Sequence, residues 1–229
     1  MISTTPFKNS FKFDYFNFEL PPLRRKCSAF DIEDLPGLWR VHWQLGNTTI
    51  FSSFYTRIDQ ACLLWGIISG IIFITAQFSC WDWGVQAWLW SGLTIAGSVS
   101  TALMAPHWLK VKPLSRTFSA WVGLMLIGTA LTDLSIFLGW SDVLMQLCPL
   151  WLALTALGYF YTGIEMRSRG FLLISLIPTL GIFLMPYLGV WQFSTTGLLI
   201  GLSMIAMAEL QWDSSGVCAN HKLDADERA

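Results

Sequence analysis

Beyond residue 60 the chain alternates long apolar stretches with short polar hinges. Six stretches, over residues 61–78, 85–104, 117–138, 143–164, 171–188 and 193–210, each approach the roughly 20 residues that a helix needs to cross about 30 Å of hydrocarbon. They predict an all-α membrane protein, a six-transmembrane-helix bundle over residues 61–210. The first, third and fifth connections hold only a few residues, which predicts three antiparallel hairpins. Residues 1–60 break the pattern and read as an N-terminal arm, partly interfacial or irregular. Residues 211–229 are small and polar and read as a flexible tail.

Within the arm, residues 7–18 set Phe7, Phe11, Phe13, Tyr15, Phe16 and Phe18 among polar neighbours. Such a segment fits a membrane-skimming arm or a docking peptide. Pro21 and Pro22 break regular structure, and Arg24-Arg25-Lys26 forms a cluster suited to anionic head groups. Residues 35–43 alternate after a Pro-Gly turn signal, which predicts a strand or hairpin before Asn47-Thr48-Thr49. No basic segment followed by an apolar core precedes residue 61, so no cleaved secretory leader is expected.

Composition agrees with a lipid environment. Of 229 residues, 54% are hydrophobic and 13% charged, about half the charged share of a soluble domain, and the mean hydropathy is +0.52. The net charge of −1 supplies no basic field for nucleic acid. All fourteen Lys and Arg fall in the arm, the second and fourth connections and the tail; the first, third and fifth connections have none. Basic residues bias a segment toward the cytoplasm, so six spans with both termini cytoplasmic are predicted. Trp81, Trp83, Trp140 and Trp191 then fall at outer ends and Trp108 and Trp212 at inner ends, where an indole satisfies both its ring and its N–H.

Chemistry-bearing residues inside the spans are few. Ser91, Thr94, Ser98 and Thr101 lie on one face of the second span, expected to point into the bundle. They form either a polar path for a solute or a packing seam, and Gly92 with Ala96 favours the seam. Gly66-Ile-Ile-Ser-Gly70 and Gly197-Leu-Leu-Ile-Gly201 are similar packing steps. Asp133 lies within the third span with no Lys or Arg in any span to pair with it. Thr129 and Thr132 are expected to offer it hydroxyls; joined by Asp142 and Gln146 it would make a proton or cation site. Otherwise it is an acid close to the outer interface.

Glu165 and Glu209 sit at inner ends, within reach of water or the basic loops. His107 is the one histidine near a span, which excludes a bis-histidine haem but leaves a single-ligand pigment such as chlorophyll. Five cysteines lack any metal-ligand spacing; buried free thiols are expected, with Cys80–Cys148 the one pairing the topology allows. Pro178 is expected to kink the fifth span. No catalytic, nucleotide-binding or metal fingerprint is present, so no metal is expected.

The segments Leu35-Pro-Gly-Leu-Trp-Arg-Val-His-Trp-Gln-Leu-Gly46, Thr56-Arg-Ile-Asp-Gln-Ala-Cys-Leu-Leu-Trp-Gly66, Leu131-Thr-Asp-Leu-Ser-Ile-Phe-Leu-Gly-Trp140 and Ala208-Glu-Leu-Gln-Trp-Asp213 resemble an uncharacterised family of multi-spanning integral membrane proteins from cyanobacteria. The resemblance implies a thylakoid or plasma membrane and transfers no functional residues. The expected function is a non-enzymatic membrane protein that associates with other membrane proteins, in assembly or stabilisation of a photosynthetic membrane complex. The alternative is a small-solute or ion transporter using the second-span hydroxyls and Asp133.

Overall fold

The computed structural model describes residue 16 and residues 21–26, 38–45, 48–104 and 112–213. Seven helices follow the apolar stretches: α1 (Arg57–Phe78), α2 (Trp83–Met104), α3 (Lys112–Phe137), α4 (Ser141–Leu144), α5 (Leu147–Glu165), α6 (Arg169–Leu184) and α7 (Gln192–Glu209). Five helical segments, α1, Leu114–Phe137, α5, Arg169–Tyr187 and Gly189–Glu209, are long and apolar enough to cross a membrane. α2 has the length, 22 residues, and no charged side chain, but its Trp, Ser, Thr and Gly content lowers its hydropathy. The arm adds β1 (Leu23–Arg25), β2 (Trp39–Leu45) and β3 (Thr48–Tyr55), and β4 (Leu210–Trp212) directly follows α7.

Local chemistry explains where the helices depart from the apolar stretches. α1 begins four residues before residue 61 because Thr56 and Asp59 form a reciprocal capping box: the Thr56 hydroxyl accepts the Asp59 N–H, and the Asp59 carboxylate accepts the Thr56 N–H at 2.8 Å. The stretch 143–164 is not one helix. It divides into α4 and α5, because Pro149 cannot donate to the Met145 carbonyl and its ring would crowd that carbonyl in a continuous helix. With α5 restarting at Leu147, Pro149 falls in the first turn, where its missing N–H is harmless. Pro178 lies inside α6, which gives way after Leu184 to 3₁₀ turns at Met185–Tyr187 and Gly189–Trp191.

Sequential neighbours α1 and α2, α3 and α5, and α6 and α7 touch, but the most extensive contacts run across these pairs, between α1 and α7 and between α5 and α6. The bundle is therefore not three self-contained hairpins. α1 and α7 approach closely because Gly66 and Gly201 face one another: a Cβ at Gly66 would lie 3.2 Å from the Gly201 carbonyl oxygen. Gly197 lies against Phe73 in the same seam, whereas Gly70 meets nothing within 4 Å. Gly92 and Ala96 are exposed, so the seam expected there is absent; Gly97, under Trp65 and Ile68, provides it instead.

Both ends of the helical chain meet at one end of the bundle. β1 pairs antiparallel with β4, Leu23 opposite Trp212, and the Asp213 N–H donates to the Pro22 carbonyl at 3.2 Å. β2 and β3 form the hairpin expected in the arm, though its second strand runs on through Thr48 to Tyr55 and leads into α1. Residues 7–18 apart from Phe16, and residues 214–229, lie outside the described residues.

Candidate functional site

The hydroxyls of α2 are engaged. Thr94 and Thr101 are buried, Ser91 and Ser98 half-buried. Thr94 donates to the Trp90 carbonyl, Ser98 to the Thr94 carbonyl and Thr101 to the Gly97 carbonyl, each at 2.8 Å. This i to i−4 bonding satisfies a hydroxyl without a solvent partner. Ser91 instead donates across the interface to Asp133 Oδ2 at 2.7 Å. The threonine flanking Asp133 does not serve it: Thr132 donates to the Gly128 carbonyl. Asp142 and Gln146 are exposed and their side chains make no bond to Asp133. A cavity of about 20 Å³ beside Asp133, lined also by Thr129 and Thr132, has room for a single water molecule.

Four tryptophans within the helices share one arrangement. The indole N–H of Trp65 donates to Thr101 Oγ1 at 3.1 Å, that of Trp90 to Thr75 at 3.0 Å, that of Trp121 to Thr162 at 3.0 Å and that of Trp151 to Thr132 at 3.2 Å. Each threonine accepts this bond while donating to a carbonyl of its own helix. In three cases that carbonyl belongs to a glycine, Gly97, Gly128 or Gly158, and the tryptophan ring lies on the glycine itself. The exchange between α3 and α5 is reciprocal, Trp121 resting on Gly158 and Trp151 on Gly128.

This clasp had a legible signal that the hydropathy pattern hid. Trp-x6-Gly-x3-Thr occurs three times, at Trp90-Gly97-Thr101, Trp121-Gly128-Thr132 and Trp151-Gly158-Thr162. The glycine stands seven positions after the tryptophan and the threonine four positions after the glycine, so all three lie on one helical face. An antiparallel neighbour with the same spacing completes two clasps at once.

The arm closes the end of the bundle with buried charge. Lys26 Nζ reaches Asp59 Oδ2 at 2.7 Å, donates to the Phe54 carbonyl at 2.9 Å and also to the Ala208 carbonyl. Both charged side chains are nearly enclosed, 6% and 4% exposed, and the ammonium lies 4.7 Å from the centre of the Tyr55 ring. Lys26 is thus an internal cation and not a head-group ligand, as the basic cluster had suggested. The Tyr55 hydroxyl donates to Glu209 Oε1 at 2.7 Å, and burial, followed by that bond, pushes the phenol up to about 12. Glu165 meets Arg116 at 3.1 Å.

Asp213 caps α6 from a distance. Its carboxylate accepts from the Ser168 hydroxyl at 2.7 Å, the Arg169 N–H and Nε at 3.0 Å each, and the Gly170 N–H. Burial pushes this carboxyl up, yet the Ser168 hydroxyl and the donors of Arg169 and Gly170 outweigh it and hold it below the usual range. A depressed carboxyl stabilises the fold above its unfolded pKa, near 4, and that stability is lost as pH falls through the folded value. Asp213→Asn should therefore destabilise the protein by about 2 kcal/mol at neutral pH. The gap from the native chain should narrow in thermal melts below about pH 4.

A larger space than the one beside Asp133 lies at this same end. A cavity of about 130 Å³ is bounded by all six long helices, with Trp65, Phe118, Trp121, Tyr159 and Phe171 on its walls. Cys62, Ser98, Thr101, Thr117 and Thr162 also border it, yet its surface is almost wholly apolar.

Cys62, Cys80 and Cys148 are free, Cys148 buried and Cys80 exposed. No cluster of His, Cys, Asp and Glu able to hold a metal occurs among the described residues. His107, the pigment-ligand candidate, lies outside them, as do Cys27 and Cys218. No family model, curated protein or solved structure matches the chain.

Proposed function

We propose that the chain is a non-enzymatic integral membrane protein that crosses the bilayer six times and acts by associating with other membrane proteins. The observation that carries this reading is the engagement of the second-span hydroxyls and Asp133 in bonds within the bundle. Groups held this way stiffen a helix seam and present no continuous row of sites to a moving solute. Parity supports six crossings over the five most apolar helices. An odd number would separate the two ends of the helical chain, whereas β1 pairs with β4. α2 is the further crossing, since back-bonding of its hydroxyls lowers the cost of burying them in lipid.

The basic residues assign both ends to the cytoplasmic side. The family resemblance adds a photosynthetic membrane, thylakoid or plasma membrane, as the setting, and assembly or stabilisation of a complex as the task. Reporters placed after Leu20 and at the C-terminus should both read cytoplasm, and one beside Asp82 the outer compartment. Gentle detergent extraction should recover the protein with defined membrane-protein partners. Replacing Ser91, Thr94, Ser98 and Thr101 together by Ala should preserve those partners. A protein that purifies alone, and whose quadruple variant is stable yet loses a solute flux, would overturn association in favour of transport.

A further inference from the structure

We infer that the cavity at the arm end of the bundle seats one hydrocarbon chain of a membrane phospholipid, drawn from the leaflet at that end. Its shape points to a chain. On α3 the wall runs from Leu114 through Phe118 and Val122 to Met125, one stripe of the helix. At 1.5 Å per residue these eleven steps cover about 16 Å, against about 15 Å for one leaflet of a hydrocarbon core about 30 Å thick. A volume of about 130 Å³ drawn out over that length is narrow. A smaller space of about 30 Å³ continues it: Trp65, Met125 and Met204 border both, and along α1 the wall passes on from Ile58 and Ala61 to Ile68 and Ile72. Two of the three residues at the junction are methionines, whose unbranched side chains yield to a guest.

The chemistry of the walls agrees. None of the lining residues is charged and the surface is almost wholly apolar, so a head group finds no partner inside and only a chain gains by entering. The gain is contact and not dehydration, since the chain leaves one apolar medium for another: walls that face a void lack partner atoms, and the chain restores them. The space is partly open, and α1 and α3, which both line it, scarcely touch each other. Ile58 and Leu114 belong to the first turns of these two helices, so the space begins at the depth where the acyl chains of that leaflet begin. A chain can enter there while its head group stays at the surface. The inference rests on the reading of the bundle as membrane-crossing and not on association with other proteins.

The test uses the full chain in phosphatidylcholine nanodiscs in which a fraction of the lipid carries a photoactivated diazirine near the end of one acyl chain, with the adducts located by peptide mass spectrometry. Adducts are expected at Trp65 and Met125, deep in the space, as well as at Ile67 and Ile71, which are exposed on the outside of α1. Ala61→Leu and Val122→Phe narrow the space from α1 and from α3, and each should lower the internal adducts by about tenfold while leaving those at Ile67 and Ile71 unchanged. Moving the diazirine toward the head group should carry the internal adducts from Trp65 and Met125 to Ile58 and Leu114. The inference fails if Ile67 and Ile71 are labelled and the internal positions are not, whether the space is then dry or holds something else. It fails equally if both folded variants keep the internal labelling, or if the labelled depth ignores the position of the diazirine. Absence of label at Ile67 and Ile71 as well would overturn the membrane-crossing reading on which it rests.

Discussion

Lys26→Met is expected to destabilise the protein by about 3–5 kcal/mol, because it leaves the Asp59 carboxylate enclosed without its cation. The Phe54 and Ala208 carbonyls lose a donor in the same change. Attraction within such a pair is large, but so is the penalty of drying both charges, and the cost of removing one partner is chiefly that of the charge left behind. The double variant Lys26→Met with Asp59→Asn should therefore recover most of the loss, to within about 1–2 kcal/mol of the native chain. Asn keeps an acceptor for the Thr56 N–H, so the cap of α1 survives in the double variant. Equilibrium unfolding of the four proteins in mixed micelles checks this; equal and additive losses would show that the pair is not coupled.

The second large effect belongs to the tryptophan clasps. A Cβ at Gly158 would stand 2.5 Å from the Trp121 ring, and one at Gly128 2.8 Å from Leu154 and 2.9 Å from the Trp151 ring. Neither ring can retreat without breaking its bond to Thr162 or Thr132. Gly158→Ala should cost about 1–3 kcal/mol by overpacking, and Gly158→Leu should prevent assembly of α3 on α5. Gly123, on the same helix as Gly128, has nothing within 4 Å of its would-be Cβ. Gly123→Ala should be neutral or favourable by up to about 1 kcal/mol, since alanine is the better helix former. Melting temperatures of the paired variants decide the point. Equal tolerance at Gly123 and Gly158 would remove the clasp from the account.

The apolar stretches located the long helices to within a few residues because exclusion of polar side chains from hydrocarbon is a local property, written continuously along the chain. The capping box at Thr56 and the break at Pro149 are equally local and were legible in principle; hydropathy, which averages over neighbours, conceals both. The position of Lys26 is different in kind. Its partners Asp59 and Ala208 are remote in sequence, and in a run of Arg24-Arg25-Lys26 nothing distinguishes the residue that will be buried. The cavity was not legible at all. A void is what remains after helices cross, and no residue encodes it.

The seam between α1 and α7 has a consequence for how the chain is made. Among the described helices α1 is the first to leave the ribosome and α7 the last, yet they share one of the two largest contacts in the bundle. Throughout synthesis the glycine-lined face of α1 meets lipid or a translocation factor, and the Lys26 ammonium waits for a carbonyl of Ala208, 182 residues downstream. Closure of this long loop comes late and all at once, so a chain interrupted before α7 has lost the partner of its first helix along with its last. A copy that stops short of α7 leaves the Gly66 side of α1 uncovered.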